Sequence, residues 1–149
     1  MGVTEPQATF SACFGAAFMM WHPNKYAELL ADKIKKHSAK AWLVNTGWTG
    51  GAYGVGSRIK LKYTRAIIDA IHNNGFDNVE TVIDPDFGFE IPLSCPGVPS
   101  DILIPKNTWE NKEKYDEVKE KLVKLFQDNF KAFEASVNAE IVKAGPKNS

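Results

Sequence analysis

The chain is organised around residues 42–65, which read WLVNTGWTGGAYGVGSRIKLKYTR. An apolar run leads into a loop with five glycines, and a polar–apolar alternation leaves it. Four cations fall within the last eight residues, and no acidic residue occurs between Asp32 and Asp69. Because the whole chain has a formal net charge of zero, this positive charge is local. The pattern predicts a surface that attracts a small anion and argues against a dedicated nucleic-acid or membrane-surface binder.

The glycine loop matches neither of two common phosphate-binding motifs. Gly51 and Gly56 have the spacing of a Walker A motif, but Ser57 and Arg58 follow where that motif needs Lys and then Ser or Thr. Ile59 occupies the position of the third glycine in the dinucleotide-binding fingerprint. Two interpretations stay open, namely a long hairpin connection and a loop that contributes to a ligand site.

The residues after the loop carry the candidate binding chemistry. Residues 58–62 alternate polar and apolar, which predicts a strand with one cationic face. One interpretation is an ordinary solvated face. The other is a nucleotide site around Arg58 and Arg65, which flank Ile59 and Tyr63. There a guanidinium and an apolar side chain can enclose a flat base, while strand backbone and a hydroxyl such as that of Thr64 contact its edge.

The flanking sequence predicts an α+β fold, with a small mixed sheet and flanking helices. Helical periodicity predicts three helices, over residues 22–38, over residues 63–73, and over a long final segment that contains residues 115–133. Short β-rich runs predict strands at residues 41–44, 58–62, 79–84 and 89–93. Four prolines between residues 92 and 105 predict an extended connection without a helix. No linker or second domain boundary is visible.

Several other features have plain structural interpretations. Cys13 and Cys95 lie 82 positions apart without CxxC spacing, which predicts two free thiols in a reducing compartment. The three histidines fall near helix ends, where capping or surface placement is expected rather than metal binding. Asp84 with Asp86, and Asp86 with Glu90, form close acidic pairs of a kind that can hold a metal ion, but the chemistry of a turn explains them adequately.

The apolar run at residues 10–21 is shorter than the roughly 20 residues of a membrane span. Two interpretations of it stay open, a buried core segment and a segment that packs against protein outside this chain. No basic and then apolar pattern of a signal peptide precedes it.

Four separated motifs are EPQATFSACFG at residues 5–15, WLVNTGW at 42–48, RIKLKYTRA at 58–66, and PGVP at 96–99 together with NTW at 107–109. Together they resemble the carboxy-terminal part of ATP-dependent phosphoenolpyruvate carboxykinase. The resemblance runs from Thr4 to Phe133 in the same order. It implies that residues 1–149 are a segment of a longer cytoplasmic enzyme, with residues 134–149 an unassigned helical tail.

The resemblance also implies a function. Members of this family convert oxaloacetate and ATP to phosphoenolpyruvate, CO2 and ADP in gluconeogenesis, with Mg²⁺ and Mn²⁺. Their P-loop, metal ligands and oxaloacetate-binding arginine lie upstream of the matched region, so no catalytic or metal-binding residue is expected here and the isolated chain should be inactive.

By matching motif, the ATP contacts expected in this segment are Arg58, Ile59 and Thr64. Residues 11–18 resemble a loop that closes beneath the active site, without an assigned contact. The expected partners are ATP, oxaloacetate and the rest of the parent chain, with no nucleic acid and no membrane. The alternatives that stay open are a non-enzymatic module that binds a small anion or a protein, and a structural remnant that binds nothing.

Overall fold

The computed structural model describes Phe10 and residues 15–147, which fall into two compact units. The first unit consists of Met1–Leu43 and Asp128–Ala144, and the second of Val44–Gln127 and Gly145–Ser149.

The described residues contain both helices and short strands, which confirms the α+β class. The helices are α1 (Pro23–His37), α2 (Leu61–His72), α3 (Ser100–Leu103), α4 (Pro105–Thr108), α5 (Lys112–Phe130) and α6 (Ala139–Ala144). The strands are β1 (Trp48–Thr49), β2 (Ser57–Arg58), β3 (Thr81–Ile83) and β4 (Glu90–Pro92). They pair as two separate two-stranded antiparallel sheets, β1 with β2 and β3 with β4, where the sequence predicted one small mixed sheet.

In the first unit, α1 begins and ends where the sequence predicts. The His22 side chain caps its start, because Nδ1 accepts a hydrogen bond from the backbone N–H of Asn24 at 3.3 Å. Pro23 occupies the first turn, where its missing N–H costs nothing. Ser38 ends the helix in the left-handed region, with φ of 49°. His37 and His72 are the last residues of α1 and α2, so all three histidines lie at helix ends as predicted.

In the second unit, one face of α2 packs on the core. Ala70, Phe76, Cys95 and Val98 are buried there, with 5–9% of their surface exposed. This packing corrects the strand predicted at residues 58–62. β2 ends at Arg58 and α2 begins at Leu61. The apolar stripe of the helix packs on the core, and this packing decides the structure over the short polar–apolar alternation of the sequence.

The strand predicted at residues 41–44 is also wrong. The structure assigns no strand there, and the Leu43 side chain is 80% exposed. A strand needs a neighbour for its backbone groups, and no strand of the described residues pairs with this run. The apolar sequence predicts burial but does not identify a partner.

The prolines of residues 92–105 do not exclude helices. α3 occupies residues 100–103 between Pro99 and Pro105, and Pro105 starts α4 at a position that tolerates proline. The long helix was predicted correctly from its periodicity, but α5 ends at Phe130 and leaves Phe133 outside it.

At the other end of the chain, most described side chains of the apolar run are exposed rather than buried, and Met19 is half-buried. Phe18 is 87% exposed and Met20 is 90% exposed. The interpretation as a buried core segment is therefore wrong for these residues, whereas residues 11–14 lie outside the described part.

The turn between β3 and β4 has the acidic chemistry that the sequence predicts. Asp84 Oδ1 accepts hydrogen bonds from the backbone N–H groups of Asp86, at 3.0 Å, and Phe87, at 2.8 Å. Lys119 in α5 brings its Nζ within 2.7 Å of Asp84 Oδ2 and 2.5 Å of Asp86 Oδ2. Asp84 is thus bonded both to the backbone of the turn and to the Lys119 ammonium, and Asp86 pairs with the same ammonium.

Candidate functional site

The glycine loop closes a β-hairpin. β1 and β2 are antiparallel with Trp48 opposite Arg58, and the backbone N–H of Ile59 extends the pairing by donating to Gly47 O at 2.9 Å. The interpretation as a hairpin connection is therefore confirmed. A side chain cannot be accommodated at Gly56, because a Cβ there would lie 2.6 Å from Thr49 O across the hairpin. At least this loop glycine is required by the close approach of two backbones and not by a ligand.

The hairpin presents Arg58 on an aromatic ring. The Arg58 guanidinium carbon lies 4.8 Å from the centroid of the Trp48 ring, within the range of a cation–π contact. The Tyr53 ring meets the Trp48 ring at 5.6 Å and 71°, an edge-to-face arrangement. Asn45 holds the backbone of the same strand, since its side chain accepts from Gly47 N–H at 2.9 Å and donates to Trp48 O at 3.2 Å.

Arg58, Ile59 and Thr64 lie on the two sides of one strand-to-helix junction. Arg58 ends β2 and is exposed, and Ile59 follows it half-buried. Lys60 is the extended N-cap residue of α2, and its carbonyl accepts from Thr64 N–H at 3.4 Å. Thr64 lies in the first turn of α2 and is half-buried. The structure therefore brings the three predicted residues to one short segment.

This junction is also positively charged. The first turn of α2 contains no acidic residue, and no side chain caps its N-terminus. The helix dipole adds partial positive charge at that end. The exposed cations Lys60, Lys62 and Arg65 surround the junction rather than covering one face of a strand, which corrects the predicted arrangement.

Contacts from α4 fix the hairpin in the second unit. The hydroxyl oxygens of Thr49 and Thr108 lie 2.7 Å apart, and Thr108 Oγ1 donates to Pro105 O at 2.8 Å. The Lys112 ammonium donates to three backbone carbonyls at the end of α4, those of Lys106, Asn107 and Trp109, at 2.7–2.9 Å. The motif at residues 107–109 therefore supports the hairpin.

Sequence reasoning missed two residues of this site, Trp48 and Thr108. Both occur in motifs that the sequence singled out, but their roles depend on the hairpin register and on the approach of α4.

A separate cavity of about 240 Å³ lies between the β3–β4 turn and α5. Its wall is largely apolar, and the lining residues include the aromatic side chains of Phe87, Phe89, Trp109 and Tyr115. Burial raises the pKa of the Tyr115 hydroxyl, and the neighbouring Lys119 ammonium opposes that effect. These features describe an apolar packing gap in which Tyr115 stays protonated.

The family expectation of Mg²⁺ and Mn²⁺ was compared with the donors that the chain offers. Within residues 15–147 and Phe10, no group of three or more His, Cys, Asp or Glu side chains has an arrangement that holds a metal ion. The close pair Asp84 and Asp86 is bound to the Lys119 ammonium, which repels a cation. The described residues do not fit a divalent metal site. No helix among them has the length and apolar character needed to span a membrane.

Comparison with known proteins identifies the family. The family model for phosphoenolpyruvate carboxykinase matches residues 1–101. The chain is 60% identical to phosphoenolpyruvate carboxykinase (ATP) of Dictyostelium discoideum over 146 residues. The aligned region covers 98% of this chain and 26% of that protein. It is 55% identical to phosphoenolpyruvate carboxykinase (ATP) 2 of Salinibacter ruber, over 99% of this chain and 28% of the relative. The corresponding enzyme of Thermus thermophilus is 53% identical over 98% of this chain and 28% of its own length.

The chain thus spans about a quarter of the length of these relatives. The similarity extends over nearly all of it, including the hairpin and the junction with α2. The chain belongs to the family of ATP-dependent phosphoenolpyruvate carboxykinases.

Proposed function

We propose that this chain is the carboxy-terminal, adenine-binding segment of an enzyme that converts oxaloacetate and ATP to phosphoenolpyruvate, CO2 and ADP. The observation that carries the proposal is the Arg58 guanidinium, which lies over the Trp48 ring at the end of β2. Within the described part of the chain, Arg58 forms no ion pair with a carboxylate. A planar cation that no carboxylate occupies is suited to stack on a purine.

The neighbouring residues complete a base site in this proposal. The half-buried Ile59 side chain supplies an apolar surface for the base, and the Thr64 hydroxyl supplies a hydrogen bond to its edge. The cations of the junction attract the phosphates of the same nucleotide.

In the proposed reaction, the carbon–carbon bond that joins the leaving carboxylate to the rest of oxaloacetate breaks, and CO2 departs. The electron pair that remains forms an enolate, whose oxygen attacks the γ-phosphorus of ATP as the bond to ADP breaks. The segment described here acts at the other end of the nucleotide. By binding the base it fixes where the triphosphate lies, and such remote binding energy is used for positioning.

We assign the P-loop, the metal ligands and the oxaloacetate-binding residues of the proposed enzyme to positions outside this chain. The gluconeogenic direction and the cytoplasmic location implied by the family also stay predictions. We expect the 149 residues alone to produce no steady oxaloacetate-dependent ADP formation. Sustained turnover by this chain would overturn that expectation.

Calorimetric titrations with ATP and with inorganic triphosphate test the binding proposal. The chain should bind ATP more tightly than triphosphate, because only ATP carries a base. Arg58→Ala should weaken ATP binding by about 1–2 kcal/mol, the size of a partly desolvated cation–π contact. Arg58→Lys should lose most of the same amount, because it keeps the charge but lacks the planar group.

Arg65→Ala is the matched control, because in this proposal it removes a cation of α2 that attracts the phosphates rather than one that stacks on the base. It should weaken ATP and triphosphate equally. Equal affinity of the unmutated chain for both ligands would instead identify a small-anion module, and flat titrations with both would identify a segment that binds neither.

A further inference from the structure

In the proposed ATP site, Arg58, Ile59 and Thr64 have roles with the base, but Trp48 does not yet have one. Its ring has two neighbours, the Arg58 guanidinium carbon at 4.8 Å and the Tyr53 ring at 5.6 Å. Its backbone carbonyl accepts from Asn45 Nδ2 at 3.2 Å. The indole ring therefore has two contacts, and Asn45 holds the backbone that carries it.

Without a neighbouring ring, the Arg58 side chain would be free to move. It is exposed, and Arg58 is the last residue of a strand of only two residues. A free arginine side chain populates many rotamers, and ordering it when a ligand binds costs free energy. The antiparallel register removes this difficulty, because it places Trp48 directly opposite Arg58.

We propose that Trp48 is a positioning residue that holds the Arg58 guanidinium flat, so that a purine base stacks on the other face of that group. The site is then a stack of three layers, indole, guanidinium and base. Tyr53 supports the indole from its edge, and Asn45 fixes the strand that carries it. This inference rests on the proposed function, in which Arg58 contacts the base.

The first test is a spectroscopic one on the unmutated full chain. A guanidinium that lies over an indole experiences the ring current of that indole. The NMR signal of the Arg58 side-chain Nε–H proton should therefore be shifted upfield from the position of an unstructured arginine, before any nucleotide is added. A signal at the unstructured position would overturn the proposal without any variant.

The second test compares variants by ATP affinity and by this signal. Trp48→Leu should remove the upfield shift and weaken ATP binding by roughly 2- to 12-fold, the cost of immobilising one flexible side chain. Trp48→Phe should keep the affinity within about twofold, since an aromatic face remains. Trp42→Leu, six residues away in the sequence, is the matched control and should change neither quantity.

A double variant separates positioning from direct contact. In an Arg58→Ala background, Trp48→Leu should cause no further loss of ATP affinity, because Trp48 acts only through Arg58. A further loss of the same size would show that Trp48 contacts the base itself and would overturn the positioning role. Circular dichroism checks that each variant is folded, and the measurement on the unmutated chain applies if Trp48→Leu is not.

The outcomes distinguish this inference from the proposed function. Loss of ATP binding in Arg58→Ala with full binding in Trp48→Leu supports the proposed function and contradicts the inference. Equal binding of ATP and triphosphate contradicts both.

Discussion

Removal of the Lys119 ammonium tests the packing of the second unit in the most quantitative way. Lys119 Nζ is bound by the carboxylates of Asp84, at 2.7 Å, and Asp86, at 2.5 Å, and the three side chains are only 13–14% exposed. Lys119→Met keeps the length of the side chain but leaves two carboxylates close together without a cation. Breaking such a buried pair costs about 3–5 kcal/mol. Because some water reaches the group, we expect a loss near the lower end, about 3 kcal/mol of the free energy of unfolding.

Urea unfolding measures this loss. The Trp109 ring lies 5.6 Å from the Tyr115 ring in α5, so its fluorescence reports on the region around Lys119. Adding Asp84→Asn and Asp86→Asn to Lys119→Met should restore most of the loss, because neutral amides need no cation. Lys114→Met is the matched control in α5, since its ion pair with Glu117 is exposed and should contribute little.

The pH dependence gives an independent check. Burial lowers the pKa of Lys119, but hydrogen bonds and charge from Asp84 and Asp86 outweigh it, and the pKa is raised. Because its pKa is raised in the folded state, the Lys119 ammonium contributes its full stabilisation below the unfolded-state pKa of about 10.4. That contribution is lost as the pH rises through the folded-state pKa. The stability difference between the unmutated chain and Lys119→Met should thus shrink above about pH 10.4. A loss below about 1 kcal/mol at pH 7 would show that the Lys119 ammonium does not contribute as a buried ion pair.

Two further predictions concern the hairpin and the buried thiol. Gly50 has φ of 78°, and a Cβ there would lie 2.9 Å from Thr108 O, whereas Gly54 has φ of 85° and open space around it. Gly50→Ala should therefore destabilise the chain to urea more than Gly54→Ala, which carries only the left-handed strain of about 1–2 kcal/mol; equal losses would contradict the close approach to α4. Cys95 is 5% exposed, and burial raises its pKa. In a Cys13→Ser variant, a thiol reagent at pH 8 should label Cys95 slowly in the native chain and rapidly in urea, and fast native labelling would contradict its burial.

The sequence predicted the elements whose signals are local. His22 and Pro23 mark the start of α1, and the stripe of Ile67, Ile68 and Ile71 marks α2, because both signals depend on residues a few positions apart. The alternation at residues 58–62 predicted the wrong element, since packing of α2 on the core decides it.

The partnerships between distant residues could not be predicted. Lys119 lies 35 positions from Asp84, and nothing in either neighbourhood identifies the other. The same holds for Thr49 and Thr108, which are 59 positions apart. Each pair forms only after the elements have packed together.

The candidate site shows the same division. Arg58, Ile59 and Thr64 could be predicted from sequence because they lie within one short segment and match a family motif. The role proposed for Trp48 depends on the register of a hairpin whose loop covers residues 50–56, and loop length alone does not set that register.

We propose that the junction between β2 and α2 binds the adenine of ATP, and NMR of the bound nucleotide can observe this contact. In an isoleucine-labelled chain with saturating ATP, the adenine H2 and H8 protons should show nuclear Overhauser effects to the Ile59 methyl groups. Ile59→Val assigns the signals of that residue. Effects to other isoleucines alone, or none at saturation, would contradict binding of the base at this junction.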